Sequence, residues 1–511
     1  MDTVHPRADR IMDAKEENAM EFADSNPNHN RSADPSGRRN SETTLGTRVK
    51  SFLSRPRLLL NPLLLFVFSA AWIREVLYWL PKDAFGTSLN YWAYTDWLID
   101  YSQGFIRRGL AGEILRLIPA SIPPLELVAV FSWILILAVA SGYVRLLARS
   151  WKTYHPLTLF GLLFLPSLFL FYLHDHAAIA RKEILGYVTL LLHLFVVEKS
   201  FPLGDGSPLP DGNLRRYVRG LLPLAVILLP VIILIHEGNF LLFVPLHGMI
   251  TLTVLRLNVP RDFKRAAVWT GLLYFPAALT FGAVYLAGTP SYQTLLGICG
   301  KWAAAGALRE TSCILPPDKL SGSTLPGAFI PMEWPLAKAA YITRVIISMD
   351  WKAWILILPT LGISIWYLIR QAAYSILRSR FPQSFPPRAA ISYSGLFFWK
   401  YFFIPLLLSL PVYLTAYDYG RWFTVTCINY AMVAVSVNLP AWEFARRKKG
   451  AEQGSAAADS REYADNRLVF YGASIGICIL ALVLWLPHYC LFSCEVIRSP
   501  FQFFDLNFFA H

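Results

Sequence analysis

Asp96-Trp97-Leu98-Ile99-Asp100-Tyr101-Ser102-Gln103-Gly104-Phe105-Ile106-Arg107-Arg108-Gly109-Leu110-Ala111-Gly112-Glu113 follows the first long apolar run of the chain, yet it carries the carboxylates Asp96 and Asp100, two adjacent arginines and three glycines. At helical spacing Asp96, Asp100 and Gln103 share one face, because positions i, i+4 and i+7 stack along a helix. Gly104 weakens that helix where the arginines begin. An amphipathic segment beside a membrane, with acids at one end and paired guanidinium groups at the other, suits a water-exposed site that handles an anionic lipid headgroup. The alternative is an interfacial helix whose charges are simply solvated.

Working outward, the chain is strongly apolar: of 511 residues 55% are hydrophobic and 16% charged, and the mean hydropathy is +0.41. That balance describes an all-α polytopic membrane protein. The formal net charge of +13 does not point to nucleic acid, because the basic residues fall in short clusters between apolar runs, as membrane topology requires. Six cysteines are too few for a disulfide framework.

Residues 1–57 are polar, with few residues to bury, and read as a disordered cytosolic tail. Arg48, Lys50, Arg55 and Arg57 precede the apolar run Leu58–Leu80 and hold the N-terminus in the cytosol, so that run acts as an uncleaved anchor. At about 17 to 23 apolar residues per span, further spans fall near 124–144, 156–173, 184–198, 220–235, 238–255, 266–287, 353–369, 397–417, 422–440 and 468–488. The total is about eleven transmembrane helices in a domain covering 58–489.

Basic clusters then fall on alternate connections, at Arg145/Arg149/Lys152, Lys199/Arg215/Arg216/Arg219, Arg256/Arg261/Lys264/Arg265, Arg370/Arg378/Arg380/Arg388 and Arg446 to Lys449. All five are expected on the cytosolic side. The opposite side receives the outward loops 81–123 and 288–352, the turns around His174 to Glu183, His236 to Asn239 and Asp418 to Arg421, and the tail 490–511. Amphipathic helices are expected in the first and the largest of these loops. Two cysteine pairs, Cys299 with Cys313 and Cys490 with Cys494, share that side, where an oxidising compartment permits a bridge.

Ionisable groups at the edge of the hydrocarbon are costly, and a functional role is their default reading. His174-Asp175-His176 has a metal-like spacing but no third and fourth ligand to follow it, so no metal is expected. Arg181-Lys182-Glu183 enters the fourth span, His236-Glu237 closes the fifth, and Asp418-Tyr419-Gly420-Arg421-Trp422 links the ninth and tenth. The loop 288–352 carries Trp302, Trp334 and Trp351 and reads as a cap over an outward cavity.

Together Gly104 to Leu110, Arg181-Lys182-Glu183, His236-Glu237 and Asp418 to Trp422 resemble a set of bacterial inner-membrane proteins of mostly unassigned activity. The overall plan is similar to the GT-C class of glycosyltransferases, which use polyprenyl-phosphate sugars and place an acid of the first outward loop at the catalytic centre. The resemblance implies an outward cavity, a lipid-linked sugar donor and a glycan, lipid or protein acceptor. Many members of that class carry neighbouring acids in the first loop, whereas here Asp96 and Asp100 stand four apart, which weakens the case for a bound divalent ion. Polysaccharide polymerases and ligases of the O-antigen type are also similar in span number. A transporter is the competing class, although the charges cluster at span ends and no inverted repeat is visible.

On this reading the protein is a multi-pass inner-membrane glycosyltransferase that needs no cofactor. Asp100, then Asp96, is the general base; His236 and Glu237 orient the acceptor or replace that base; Arg107, Arg108, Arg181 and Arg421, with Asp418, contact the substrate.

Overall fold

The computed structural model describes residues 56–84, 91–119, 121–165, 167–174, 178–201, 212–258, 263–308, 313, 325, 328–332, 334–380, 396–415, 419–436 and 475–476. The expected N-terminal tail up to residue 55, the span at 468–488 apart from 475–476, the tail 490–511 with Cys490 and Cys494, and the residues Asp175, His176 and Asp418 lie outside them. Every regular element among the described residues is helical.

Helix α1 (Pro56–Ala84) packs against α4 (Pro124–Ala148) and α5 (Pro156–Phe164). Between them come two short helices, α2 (Tyr91–Thr95) and α3 (Gly109–Arg116). After the short α6 (Leu170–His174), α7 (Ile184–Ser200) packs on α4, on α8 (Gly212–Ile235) and on α9 (Gly238–Asn258). Helix α10 (Phe263–Leu286) lies against α8 and α9. The cap elements α11 (Tyr292–Ala304) and α12 (Phe329–Met332) precede α13 (Leu336–Arg380), which packs on α5, on α14 (Leu396–Thr415) and on α15 (Tyr419–Val435).

Proline chemistry shapes several of these helices. Pro124 and Pro156 open α4 and α5, where an N–H would have no partner. In α8 and α14 a π-turn, at Leu224–Leu228 and Trp399–Phe403, stands two residues before Pro230 and Pro405. A proline cannot bond the carbonyl four residues back, and a turn of i→i+5 geometry accommodates that loss.

Among the described residues six helices are long and apolar enough to cross a membrane: α1, α4, α8, α9, α10 and α14. The expected single span at 156–173 is broken in two. Leu165 is extended ahead of Pro166, as a residue before proline prefers, so α5 ends at Phe164. The run 353–369 is the middle of α13, whose 45 residues reach about 67 Å, more than twice the hydrocarbon thickness of about 30 Å. The helix expected near 336–350 therefore belongs to that long element rather than to a separate loop helix. With 17 residues each, α7 and α15 stand at the lower end of the length a span needs, about 17 to 25 residues.

Two apolar cores result. One fills the bundle from Phe68 to Val435. The other joins the two large connections: Trp97, Leu98, Ile99 and Leu115 pack with Leu295, Ile298, Trp302, Phe329 and Met332. Cys299 and Cys313 are disulfide-bonded at this second core, with a Cα–Cα distance of 5.7 Å.

The stretch between α2 and α3 does not form the helix expected over Asp96 to Gln103. A 3-10 turn, Asp96–Leu98, gives way to extended backbone at Ile99. The Asp100 carboxylate accepts the Ser102 N–H at 2.8 Å, an Asx-type turn that competes with helix formation. Gly104 follows at φ 109°. The Gly112 N–H donates to the Ile99 carbonyl at 3.2 Å, and a methyl group at Gly112 would run into that same carbonyl. Because backbone cannot step aside as a side chain can, Gly112→Ala is expected to cost about 1–3 kcal/mol or more. Gly300→Ala, on a helix face with open space around it, should be neutral or stabilising; thermal unfolding of both variants in detergent checks the contrast.

Candidate functional site

Helix ends decide where the charged motifs stand. Helices α7, α9 and α15 begin, and α8 ends, at the same end of the bundle, and the polar residues of these termini meet the Asp96 to Arg108 stretch there. Arg108 is the hub. It takes a left-handed backbone conformation, φ 65°, at the N-terminus of α3, a conformation held at a cost that packing must offset. A methyl group at the following Gly109 would strike the Tyr101 ring, so glycine is what lets this turn close.

From that position the Arg108 guanidinium donates to both carboxylate oxygens of Glu237, through Nε at 2.9 and 3.1 Å and Nη2 at 3.0 Å. Its Nη1 reaches Asp96 Oδ1 at 3.3 Å. The other Asp96 oxygen lies 3.5 Å from Lys182 Nζ, which donates to the Asp96 backbone carbonyl at 2.7 Å. Arg107 stands 3.9 Å from Glu237 and donates through Nη2 to the carbonyls of Pro331 and Met332, at 3.1 and 3.0 Å, which ties the cap to the network. Beside this, Glu183 is approached by His236 Nε2 at 3.5 Å and Arg421 Nη2 at 3.6 Å.

These groups are buried: Asp96, Lys182, Glu183, His236 and Arg421 are each at most 5% exposed. Burial pushes the carboxyl of Asp96 upward, but Lys182 and Arg108 outweigh it and hold that group well below the usual carboxylate range. Glu237 is held low in the same way, chiefly by Arg108, and Glu183 is lowered against its burial by Arg421, His236 and Arg181. Burial works against the charge of Arg108, yet Glu237 and Asp96 more than restore it. Lys182 is pushed down to about 8 by burial, with Asp96 opposing. Burial and the neighbouring Arg108 bring His236 down to about 4, so it is neutral at pH 7.

The His236 tautomer follows from its contacts. Nδ1 accepts the Gly238 N–H at 3.0 Å, which leaves the ring proton on Nε2, facing Glu183. His236 therefore orients Glu183 and has no lone pair to offer as a base in this state.

Of the residues singled out in the sequence, Asp96, Arg107, Arg108, His236, Glu237 and Arg421 come together, and Arg181 acts on Asp96 and Glu183 through its charge. Asp418 lies outside the described residues. Asp100 is buried four residues after Asp96, with Oδ1 on Ser102 N–H and Oδ2 lacking a hydrogen-bond partner among the described residues. Gln103, expected on a shared face with the aspartates, instead lies against Gly297 of α11. Lys182 and Glu183 are central here although only Arg181 was chosen from that triplet; the signal available was a full charged triplet at the start of an apolar helix. No group of three or more metal-ligating side chains occurs among the described residues. No protein family, curated protein or solved structure matches the chain.

The shifted groups set an acid limit on stability. Below pH 6.5 the unfolded chain protonates His236 while the folded chain resists until about pH 4, so stability is full above 6.5 and falls as pH drops through that window. His236→Gln should remove this part of the slope, read as melting temperature against pH. Removing one partner of a buried pair typically costs about 3–5 kcal/mol. Glu237→Ala is therefore expected to be severely destabilising, and pairing it with Arg108→Met should restore part of the loss.

Proposed function

We propose that this protein is a glycosyltransferase of the cytoplasmic membrane, which moves a sugar from a polyprenyl-phosphate carrier to a glycan, lipid or protein acceptor on the outer face. The observation that carries this reading is the convergence of Arg107, Arg108, Lys182 and Arg421 on three carboxylates at the common end of apolar helices. Cations outnumber carboxylates there even with Arg181 left aside. A positive surplus in a region of low dielectric favours an anion, and its place beside lipid-facing helices favours one attached to an apolar tail. Arg107 is suited to the carrier phosphate, since its Nε has no hydrogen-bond partner among the described residues and the planar fork of arginine fits phosphate oxygens.

In the transfer the acceptor hydroxyl oxygen bonds to the anomeric carbon, the bond from that carbon to the carrier phosphate oxygen breaks, and the hydroxyl proton passes to a base. Asp96 and Glu237 are poor bases, because neighbouring cations hold them well below the usual carboxylate range. Glu183 is lowered by its cationic neighbours as well, and Asp100, whose Oδ2 has no hydrogen-bond partner among the described residues, takes that role. Arginines then carry the charge that builds on the departing phosphate. A polymerase or ligase of the O-antigen type would use the same cationic pocket with a polymeric donor.

With the full chain in lipid nanodiscs and a radiolabelled polyprenyl-phosphate sugar, Asp100→Asn is expected to lower turnover about a hundredfold or more. Arg107→Ala should weaken donor binding more than it slows a saturated enzyme. Unchanged turnover in both variants would remove these assignments, and absence of transfer from either mono- or diphosphate-linked donors would remove the enzyme reading.

A further inference from the structure

A second polar system, unrelated to the charged cluster, runs through the interior of the bundle. Thr189 and His193 of α7, Tyr217 of α8, His247 and Thr251 of α9 and Tyr274 of α10 are all buried, and they form one continuous series of hydrogen bonds. Thr189 Oγ1 lies 3.2 Å from His247 Nε2, and the two imidazoles face each other through Nδ1 at 2.9 Å. His193 Nε2 is 2.7 Å from the Tyr217 hydroxyl, which is 3.1 Å from Thr251 Oγ1, itself 2.8 Å from the Tyr274 hydroxyl. The imidazole rings are stacked within 1° of parallel.

The donors can be assigned throughout. Thr189 gives its proton to the Gly186 carbonyl at 2.7 Å, so toward His247 it only accepts, and His247 carries its proton on Nε2. Nδ1 of His247 is then an acceptor, which makes His193 the Nδ1–H tautomer and leaves its Nε2 to accept from Tyr217. Tyr217 in turn accepts from Thr251, and Thr251 from Tyr274. All the hydrogens therefore point the same way, from α10 toward α7.

Hydroxyl pairs alone would serve to glue helices together. Two imidazoles in direct contact add something hydroxyls lack, a ring nitrogen lone pair able to take up a further proton, and an ionisable residue within apolar helices is by default a candidate for a proton path. We propose that Thr189, His247, His193, Tyr217, Thr251 and Tyr274 form a proton relay whose carrier is the His193–His247 pair.

A proton taken from water at the Tyr274 end displaces the hydroxyl protons of Tyr274 to Thr251, of Thr251 to Tyr217 and of Tyr217 to His193 Nε2, and the Nδ1 proton of His193 passes to His247. His247, protonated on both nitrogens, is the loaded state. Thr189 Oγ1 accepts the Nε2 proton and gives up its own hydroxyl proton to water, which balances the proton taken from water at the Tyr274 end; Thr189 stands about 9 Å along α7 from Glu183 at 1.5 Å per residue. Hydroxyls and tautomers then turn back, and the net change is one proton moved. Proton passage of this kind would be independent of sugar transfer, and the hydrogen-bonded series is the observation that favours a transporter as the second reading of the protein.

The test uses the full chain in liposomes of phosphatidylethanolamine and phosphatidylglycerol, with a pH-sensitive dye inside and a potassium diffusion potential set by valinomycin. Proton uptake at least tenfold above protein-free liposomes is expected. His193→Gln, His247→Gln and Tyr217→Phe should each return it to that baseline, while Tyr143→Phe, which removes a buried hydroxyl bonded elsewhere to the Leu162 carbonyl, should not. Uptake at baseline in the unaltered protein, or unaltered uptake in both histidine variants, would show the series to be packing glue and overturn the proposal. Should the imidazole variants fail to insert, Tyr274→Phe, which removes a single hydroxyl at the rim of the series, decides alone.

Discussion

The bidentate pair between Arg108 and Glu237, extended through Asp96 to Lys182, is the constraint on which this end of the protein depends. It joins residues 129 positions apart in a setting where an unpaired charge would cost several kcal/mol. The backbone fixes both partners: Arg108 stands in a left-handed conformation, and Glu237 lies in a two-residue reversal between α8 and α9. Because each charge is buried against its opposites, the carboxyls of Asp96 and Glu237 are held well below the usual carboxylate range and the Arg108 guanidinium is held protonated. The network is thus a fixed electrostatic fixture, and a proton acceptor for chemistry has to be sought beside it rather than within it.

That fixture lies at the seam of two apolar cores. Ile179 belongs to the bundle core and Ala180 to the cap core, and the charged triplet Arg181-Lys182-Glu183 follows directly. Likewise Ile233 packs into the bundle and Ile235 into the cap, just ahead of His236-Glu237. The cap is in turn held by Arg107 through two backbone carbonyls and closed on itself by the Cys299–Cys313 bridge.

Helix α7 connects the two polar systems of the molecule. Lys182 and Glu183, just ahead of its first turn, join the ionic cluster, and Thr189 and His193, farther along, enter the hydrogen-bonded series inside the bundle. The two differ in physical kind. Opposed charges lock the cluster, whereas the interior series is neutral, directional and able to reverse its direction by proton hops. One helix carrying both links the ionic cluster to the hydrogen-bonded series inside the bundle.

By itself the sequence determined the helical, membrane-type character, the places where polar residues interrupt apolar runs, and most members of the charged cluster, because hydrophobic run length and the cost of charge in hydrocarbon act locally. Asp96, Arg107, Arg108, His236, Glu237 and Arg421 were all legible for that reason. Tertiary structure decided what local rules could not reach. The Asx turn at Asp100 and the Gly112–Ile99 contact replaced an expected helix, Pro166 broke an expected span, and α13 absorbed another into a longer rod. Which of Arg181, Lys182 and Glu183 would be buried depended on the phase of α7 against its neighbours. His193, Tyr217 and His247 each looked like an isolated polar residue on an apolar helix, and only the packing of α7, α8, α9 and α10 brought their donors and acceptors within 3 Å of one another.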